Sequence, residues 1–267
     1  MNEPPPVLPP ELPAPTSPKM SLAARLLNVF AVPGDVFEEV RTAAHSAANW
    51  IVPAILGAAV GAVAVVIVLA QPAVMQKIRE QQEQAIEKRL EKLVQAGKMT
   101  RQDVEKQKEM AEKFMSPTIM KVSGAVSVVV MSFIRVFLLA LVLWALARWF
   151  LRARIGYLKA AEIVGLAAMI GVLGALVKLL LQVNFSNPAS SPSLAIFIKE
   201  FDPKSTLHML LAALNLFDFW ELAIMALGLA RVAGAPFGRA GLAVFGFWVI
   251  WSSILISLSA LAQRMFS

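Results

Sequence analysis

The sequence predicts an all-α, polytopic membrane protein: a bundle of five transmembrane helices with an extramembrane helical hairpin between the first two spans. Composition is the first observation behind this. Of 267 residues, 58% are hydrophobic and 16% charged, and the mean hydropathy is +0.66. Soluble domains are about 45 to 50% apolar and about 25% charged, so this chain has too little polar surface to coat a water-soluble globule. Run length is the second: five separate stretches approach the roughly 20 apolar residues that a helix needs to cross a bilayer core. The third is a block dense in Glu, Gln, Lys and Arg between the first two of those stretches. Cysteine is absent, which excludes disulfides, thiolate metal sites and thiol catalysis. The net charge of +7 would suggest nucleic acid for a soluble chain. In a membrane protein it chiefly sets orientation, and no nucleic-acid partner is expected.

Residues 1–19 form a Pro-rich tail, with eight prolines in MNEPPPVLPPELPAPTSP. Such a segment favours extended polyproline conformations and is expected to be disordered. It has neither the basic start nor the apolar run of a secretory signal, so the first hydrophobic stretch is expected to be an uncleaved anchor. Residues 20–50 read as cytoplasmic amphipathic helices. Leu22, Leu26, Leu27, Val29 and Phe30 recur at helical spacing, which suits a helix lying on the membrane surface. Pro33 and Gly34 break it. Asp35, with Glu38 three residues on, has the pattern of a capping box and starts a second helix that runs toward Trp50.

The expected spans are 51–70, 122–147, 160–183, 207–230 and 240–262. The first is uncharged, the second holds Arg135, the third Glu162 and Lys178, the fourth Asp218 and Glu221, and the fifth is uncharged. Between the first two, residues 71–121 form the charged hairpin. Ile78, Ile86, Leu90, Leu93 and Val94 share one face of a coiled-coil-like first helix, and Val104, Ala111, Phe114 and Met115 continue in a second. Gly97 suits the left-handed cap between them, and Thr100 with Asp103 caps the second helix. The short connections Arg148 to Lys159 and Arg231 to Arg239 are rich in arginine and should face the cytoplasm. That puts the N-terminus inside, the hairpin and the Asn184 to Thr206 loop outside, and the C-terminus outside. No internal repeat is evident.

Ionisable side chains inside a bilayer cost several kcal/mol unless paired or wet, so each is a functional candidate. Arg135 and Asp218 reach similar depths, and Glu221 shares a helical face with Asp218. These three form the expected intramembrane polar cluster, either as a packing element or as part of a solute or ion pathway. Gly57 and Gly61 have a GxxxG spacing that permits close helix packing, within the chain or in a homo-oligomer. The chain holds no HExxH, GxSxG or GxxxxGK[ST] pattern, and Asp218 has no second membrane aspartate to form a dyad. No catalytic residue, metal or cofactor is expected. His208 reads as an interfacial residue.

Two stretches resemble the Yip-domain family, the Ypt/Rab-interacting five-span membrane proteins, in its bacterial branch. They are ARLLNVFAVPGDVFEEV (Ala24 to Val40), leading through Trp50 and Pro53 into the first span, and NLFDFWELAIMALGLARV (Asn215 to Val232). The resemblance implies a cytoplasmic N-terminus and five spans. Its eukaryotic members bind Rab-type GTPases and help traffic vesicles, and acidic residues of their N-terminal region are linked to that role. No position of the Pro-rich tail matches those residues. The reading at this level is a non-enzymatic scaffold or membrane-organising factor of a bacterial cytoplasmic membrane. Its partners are membrane lipids and an unidentified protein docking on the 76–115 hairpin. The alternative is a small-solute or ion transporter or channel built on Arg135, Asp218 and Glu221.

Overall fold

A computed structural model describes residues 20–114, 116–198, 201–202 and 205–266; the Pro-rich tail and Met115 lie outside the described residues. Those residues are helical almost throughout, with ten α-helices. Four helical stretches are long and apolar enough to cross a membrane: Ala48–Ala70, Pro117–Phe150, Tyr157–Asn184 and Phe237–Leu261.

Two short helices come first. Ser21 caps α1 (Leu22–Ala31) by accepting from the Ala24 N–H, and α2 (Pro33–Thr42) begins directly at Pro33. Here the expected capping box is corrected. Proline pre-sets the first helical φ and has no N–H to satisfy, so α2 starts two residues before Asp35 without a side-chain cap. Glu38 instead accepts from Arg41 on the exposed face, and the Arg41 guanidinium beside it holds its carboxyl below the usual range. The helix also stops at Thr42, short of Trp50. Leu26, Val29, Val36, Phe37 and Val40 are buried, and α1 and α2 pack on the bundle helices described next.

The bundle is α3 (Ala48–Ala70), α6 (Pro117–Ala145, continued by a π turn over Leu146–Phe150), α7 (Tyr157–Asn184), α9 (Leu216–Ala233) and α10 (Phe237–Phe266). α7 is its axis. It packs against α3, α6 and α9, and Ala160 to Ala168 are buried without interruption. Glycines set the spacing and reveal the register. A Cβ at Gly165 would overlap the Trp50 backbone and lie 2.5 Å from its Cβ, and one at Gly57 would meet Val172 at 3.7 Å, so α3 and α7 run parallel. Gly61 faces Val128 at 2.5 Å and Gly124 faces Val65 at 2.9 Å, so α3 and α6 are antiparallel. Gly174 faces Phe217 and Gly228 faces Ile163, at 2.8 and 2.6 Å, so α7 and α9 are antiparallel too. Small residues at such crossings let backbones approach where side chains would hold them apart.

α4 (Pro72–Gln95) follows α3 after a one-residue break and is joined by Ala96–Thr100 to α5 (Arg101–Phe114). Gly97 takes the left-handed conformation at φ +66°. Thr100 and Asp103 cap each other reciprocally: the Asp103 carboxylate accepts from the Thr100 hydroxyl at 2.6 Å, and the Asp103 N–H donates to that hydroxyl at 3.3 Å. α4 packs on α3 and α5, and the outer faces of α4 and α5 are exposed.

The expected continuous span over 207–230 is corrected. It is two helices, α8 (Thr206–Ala213) and α9, interrupted at Leu214 and Asn215. The Asn215 side chain accepts from the Phe217 N–H and caps α9. The broken backbone pairs instead with the preceding loop: Leu194 N–H donates to Leu214 O and Leu216 N–H to Pro192 O. Hydropathy is blind to such a break because every residue flanking it is apolar.

Candidate functional site

Two polar assemblies lie inside this apolar frame. The first joins α1 and α2 to the ends of α3 and α7. Glu162, in the second turn of α7, is 1% exposed. Its Oε2 accepts from Asn49 Nδ2 at 2.5 Å, and its Oε1 lies 3.0 Å from His45 Nδ1 and 3.2 Å from Lys159 Nζ. Lys159 also donates to the Val40 and Ala43 carbonyls at 2.6 and 3.0 Å. Those carbonyls end α2, where a cation is favoured by the helix dipole. Asn49 Oδ1 accepts from Arg25, which donates in turn to Glu39, and the Glu39 carboxylate accepts from the Met20 N–H. Two cations, two carboxylates and one amide thus form a chain across four helices. Charges buried in this way persist only when paired and hydrogen-bonded.

The second assembly lies across α7. Arg135 of α6 donates to Glu221 Oε2 of α9 at 2.8 Å. The registers above place both near the middle of α7, beside Gly171, where a Cβ would come within 2.9 Å of Glu221 Oε2. α6 and α9 share no packed interface among the described residues, so this pair bridges a gap. The gap is a cavity of about 370 Å³ lined by α3, α6, α7 and the start of α9. Its polar lining comprises Ser132, Arg135, Lys178, Asn215, Asp218 and Glu221. The Arg135 side chain is 49% exposed and that of Glu221 only 2%. Glu221 Oε1 is buried without a hydrogen-bond partner.

Of the residues singled out in the sequence, Arg135 and Glu221 therefore meet directly. Asp218, in the first turn of α9, lines the same cavity without joining the ion pair. Gly57 and Gly61 face different helices, α7 and α6, rather than forming a single seam. His208 accepts from the Asp202 N–H near the start of α8. The junction at Glu162 was missed, because its partners lie up to 117 residues away. A weak signal was present: Asn49 at the head of an apolar run, and Lys159 and Glu162 spaced i, i+3 at the head of another. Among the described residues, no group of three or more His, Asp and Glu side chains could hold a metal ion.

The fold and these sites define a helical integral membrane protein with polar assemblies set inside its apolar bundle. The Yip1 domain, as a family model, matches residues 27–259, and the chain belongs to the Yip1 domain family. No curated protein and no solved structure matches it.

Proposed function

We propose that the protein is a non-enzymatic membrane scaffold, held in a bacterial cytoplasmic membrane, that organises protein or lipid contacts through the projecting α4–α5 segment. The exposure of that segment carries the reading. Residues 71–121 hold eleven Lys and Arg against eight Asp and Glu, and α4 and α5 turn most of these outward while α4 packs on α3 and α5. Such a mixed-charge hairpin offers specific electrostatic complementarity without a large net field.

Five crossings fit this reading. α9 lies antiparallel along α7, and α10 begins beside the π turn that ends α6, so the segment between α7 and α10 traverses the bundle. The face carrying α1, α2 and the arginines 148, 152, 154 and 231 is then cytoplasmic by the positive-inside rule. The hairpin and the loop before α8 lie on the other side.

Photo-crosslinkers placed in cells at Glu83 and Lys106, with Leu138 on the apolar face of α6 as control, test the scaffold reading. A discrete protein or lipid adduct at the α4–α5 positions, lost on charge reversal of neighbouring residues, is expected. Uniform adducts at all three positions contradict it. The cavity favours a second reading, passage of a small solute, because transporters commonly bind substrate at mid-depth beside an interrupted helix. That reading requires Asp218→Asn to abolish flux into liposomes while the fold is retained.

A further inference from the structure

We infer that the cavity between α6, α7 and α9 is a binding site for a compact zwitterion bearing a primary ammonium and, a few bonds away, a phosphate or carboxylate. This goes beyond the scaffold reading and does not depend on it.

Glu221 has one satisfied and one unsatisfied oxygen. Its Oε2 is satisfied by Arg135, but Oε1 is buried with no donor, and a buried acceptor without a partner costs about 1–3 kcal/mol, more when charged. Glu221 lines the cavity, so a donor held there would reach Oε1 by a small rotation of the carboxylate. An ammonium there would meet a second carboxylate, Asp218, on the same face one turn toward the start of α9.

The opposite charge is equally well provided. Arg135 has five N–H donors and places one on Glu221, and it lines the cavity. Lys178 lines the same space from α7, two turns nearer that helix's C-terminal end. With two cations and two carboxylates the lining is neutral. A simple anion would face Asp218 and Glu221, and a simple cation would face Arg135 and Lys178. A molecule carrying both signs answers each group. The cavity of about 370 Å³ falls in the range of small-ligand pockets.

Two sources share this chemistry: the head group of an aminophospholipid and a free phospho- or carboxy-amine. The test uses full-length protein in nanodiscs of phosphatidylglycerol and phosphatidylcholine, with thermal unfolding as readout. Phosphatidylethanolamine in the disc is one arm, and soluble O-phosphoethanolamine the other. Phosphatidylcholine and phosphocholine are the matched controls, because a quaternary ammonium has no N–H to give Glu221. Saturable stabilisation by either ethanolamine compound, with the choline counterpart at least tenfold weaker, is expected. A response to the lipid alone assigns a head-group site, and a response to the soluble compound assigns a solute site. Asp218→Asn and Lys178→Gln, neither of which breaks the Arg135–Glu221 pair, should each weaken binding about tenfold. Equal responses to ethanolamine and choline compounds, or no response to any, overturn the inference. So does wild-type affinity in both folded variants. If a variant fails to fold, discrimination by the wild-type protein decides alone. Crosslinking at α4–α5 can fail while this binding stands, and the reverse.

Discussion

Glu162 has three neighbours to satisfy it, drawn from the loop after α2 and from α3 and α7 themselves. Asn49, His45 and Lys159 contact its two oxygens, and Lys159 passes the connection on to the last carbonyls of α2. Removing one partner of a buried pair leaves the other charge uncompensated, which costs about 3–5 kcal/mol. Glu162→Ala is therefore expected to lose about that much stability in reversible unfolding in detergent, and to free α1 and α2 for proteolysis. Glu38→Ala serves as the contrast. Its pair with Arg41 lies at the surface, about half-exposed, and such pairs contribute little. A Glu162→Ala protein with wild-type stability and protected N-terminal helices would show that the junction is incidental.

At the scale of elements, α3 and α7 are held at their distance by glycine, and the two glycines differ in kind. A Cβ at Gly165 would run into the Trp50 backbone and the Asn49 carbonyl, the latter at 2.6 Å, whereas one at Gly57 meets only a Val172 methyl at 3.7 Å. Gly165→Ala is expected to destabilise the bundle by about 1–3 kcal/mol, since backbone must move. Gly57→Ala should be near neutral in the same unfolding assay; equal losses would contradict the close approach at Gly165. α5 has its own dependence on pH. The Thr100 hydroxyl and N–H hold the Asp103 carboxyl below its ordinary value. A lowered folded pKa contributes stability that is present above the unfolded pKa and is lost as pH falls through the folded one. Protection of the first α5 amides, after correction for the intrinsic pH dependence of exchange, should therefore fall under acid and be unchanged in alkali, and Thr100→Ala should lessen that acid dependence. The α4–α5 turn was legible because its signals are local: Gly97 for the left-handed cap and Thr100 with Asp103 for the next start. The interruption at Asn215 was not legible. Its cause is pairing with Pro192 and Leu194 more than a dozen residues upstream, and the apolar flanks read through it as one span.

Across the whole molecule, the run lengths that marked the long apolar helices reflect a requirement of the bilayer on backbone hydrogen bonding, which leaves a strong trace in sequence. Burial of charge leaves a weak one. Arg135, Asp218 and Glu221 could be picked out because ionisable groups are rare in such runs, and depth counting brought Arg135 and the α9 carboxylates to one level. The cavity beside them could not be foreseen, since it arises where α6 and α9 both pack on α7 and the Arg135–Glu221 pair spans the space between them. The architecture leaves one polar junction at the end that carries the N-terminal helices and a cavity whose lining extends toward the other end, to Lys178, Pro192 and Asn215. Because the chain has no cysteine, single substitutions can read this asymmetry directly. The most direct measurement is labelling of Ser132→Cys, in the cavity, by a membrane-impermeant maleimide in sealed vesicles of each orientation. Ser191→Cys marks the loop side, Ala43→Cys the N-terminal side, and Leu138→Cys the lipid-facing surface of α6. Ser132→Cys is expected to be labelled only from the side that labels Ser191→Cys, and Leu138→Cys to stay unlabelled from both. Labelling of Ser132→Cys from the Ala43 side, or none from either side, would contradict this.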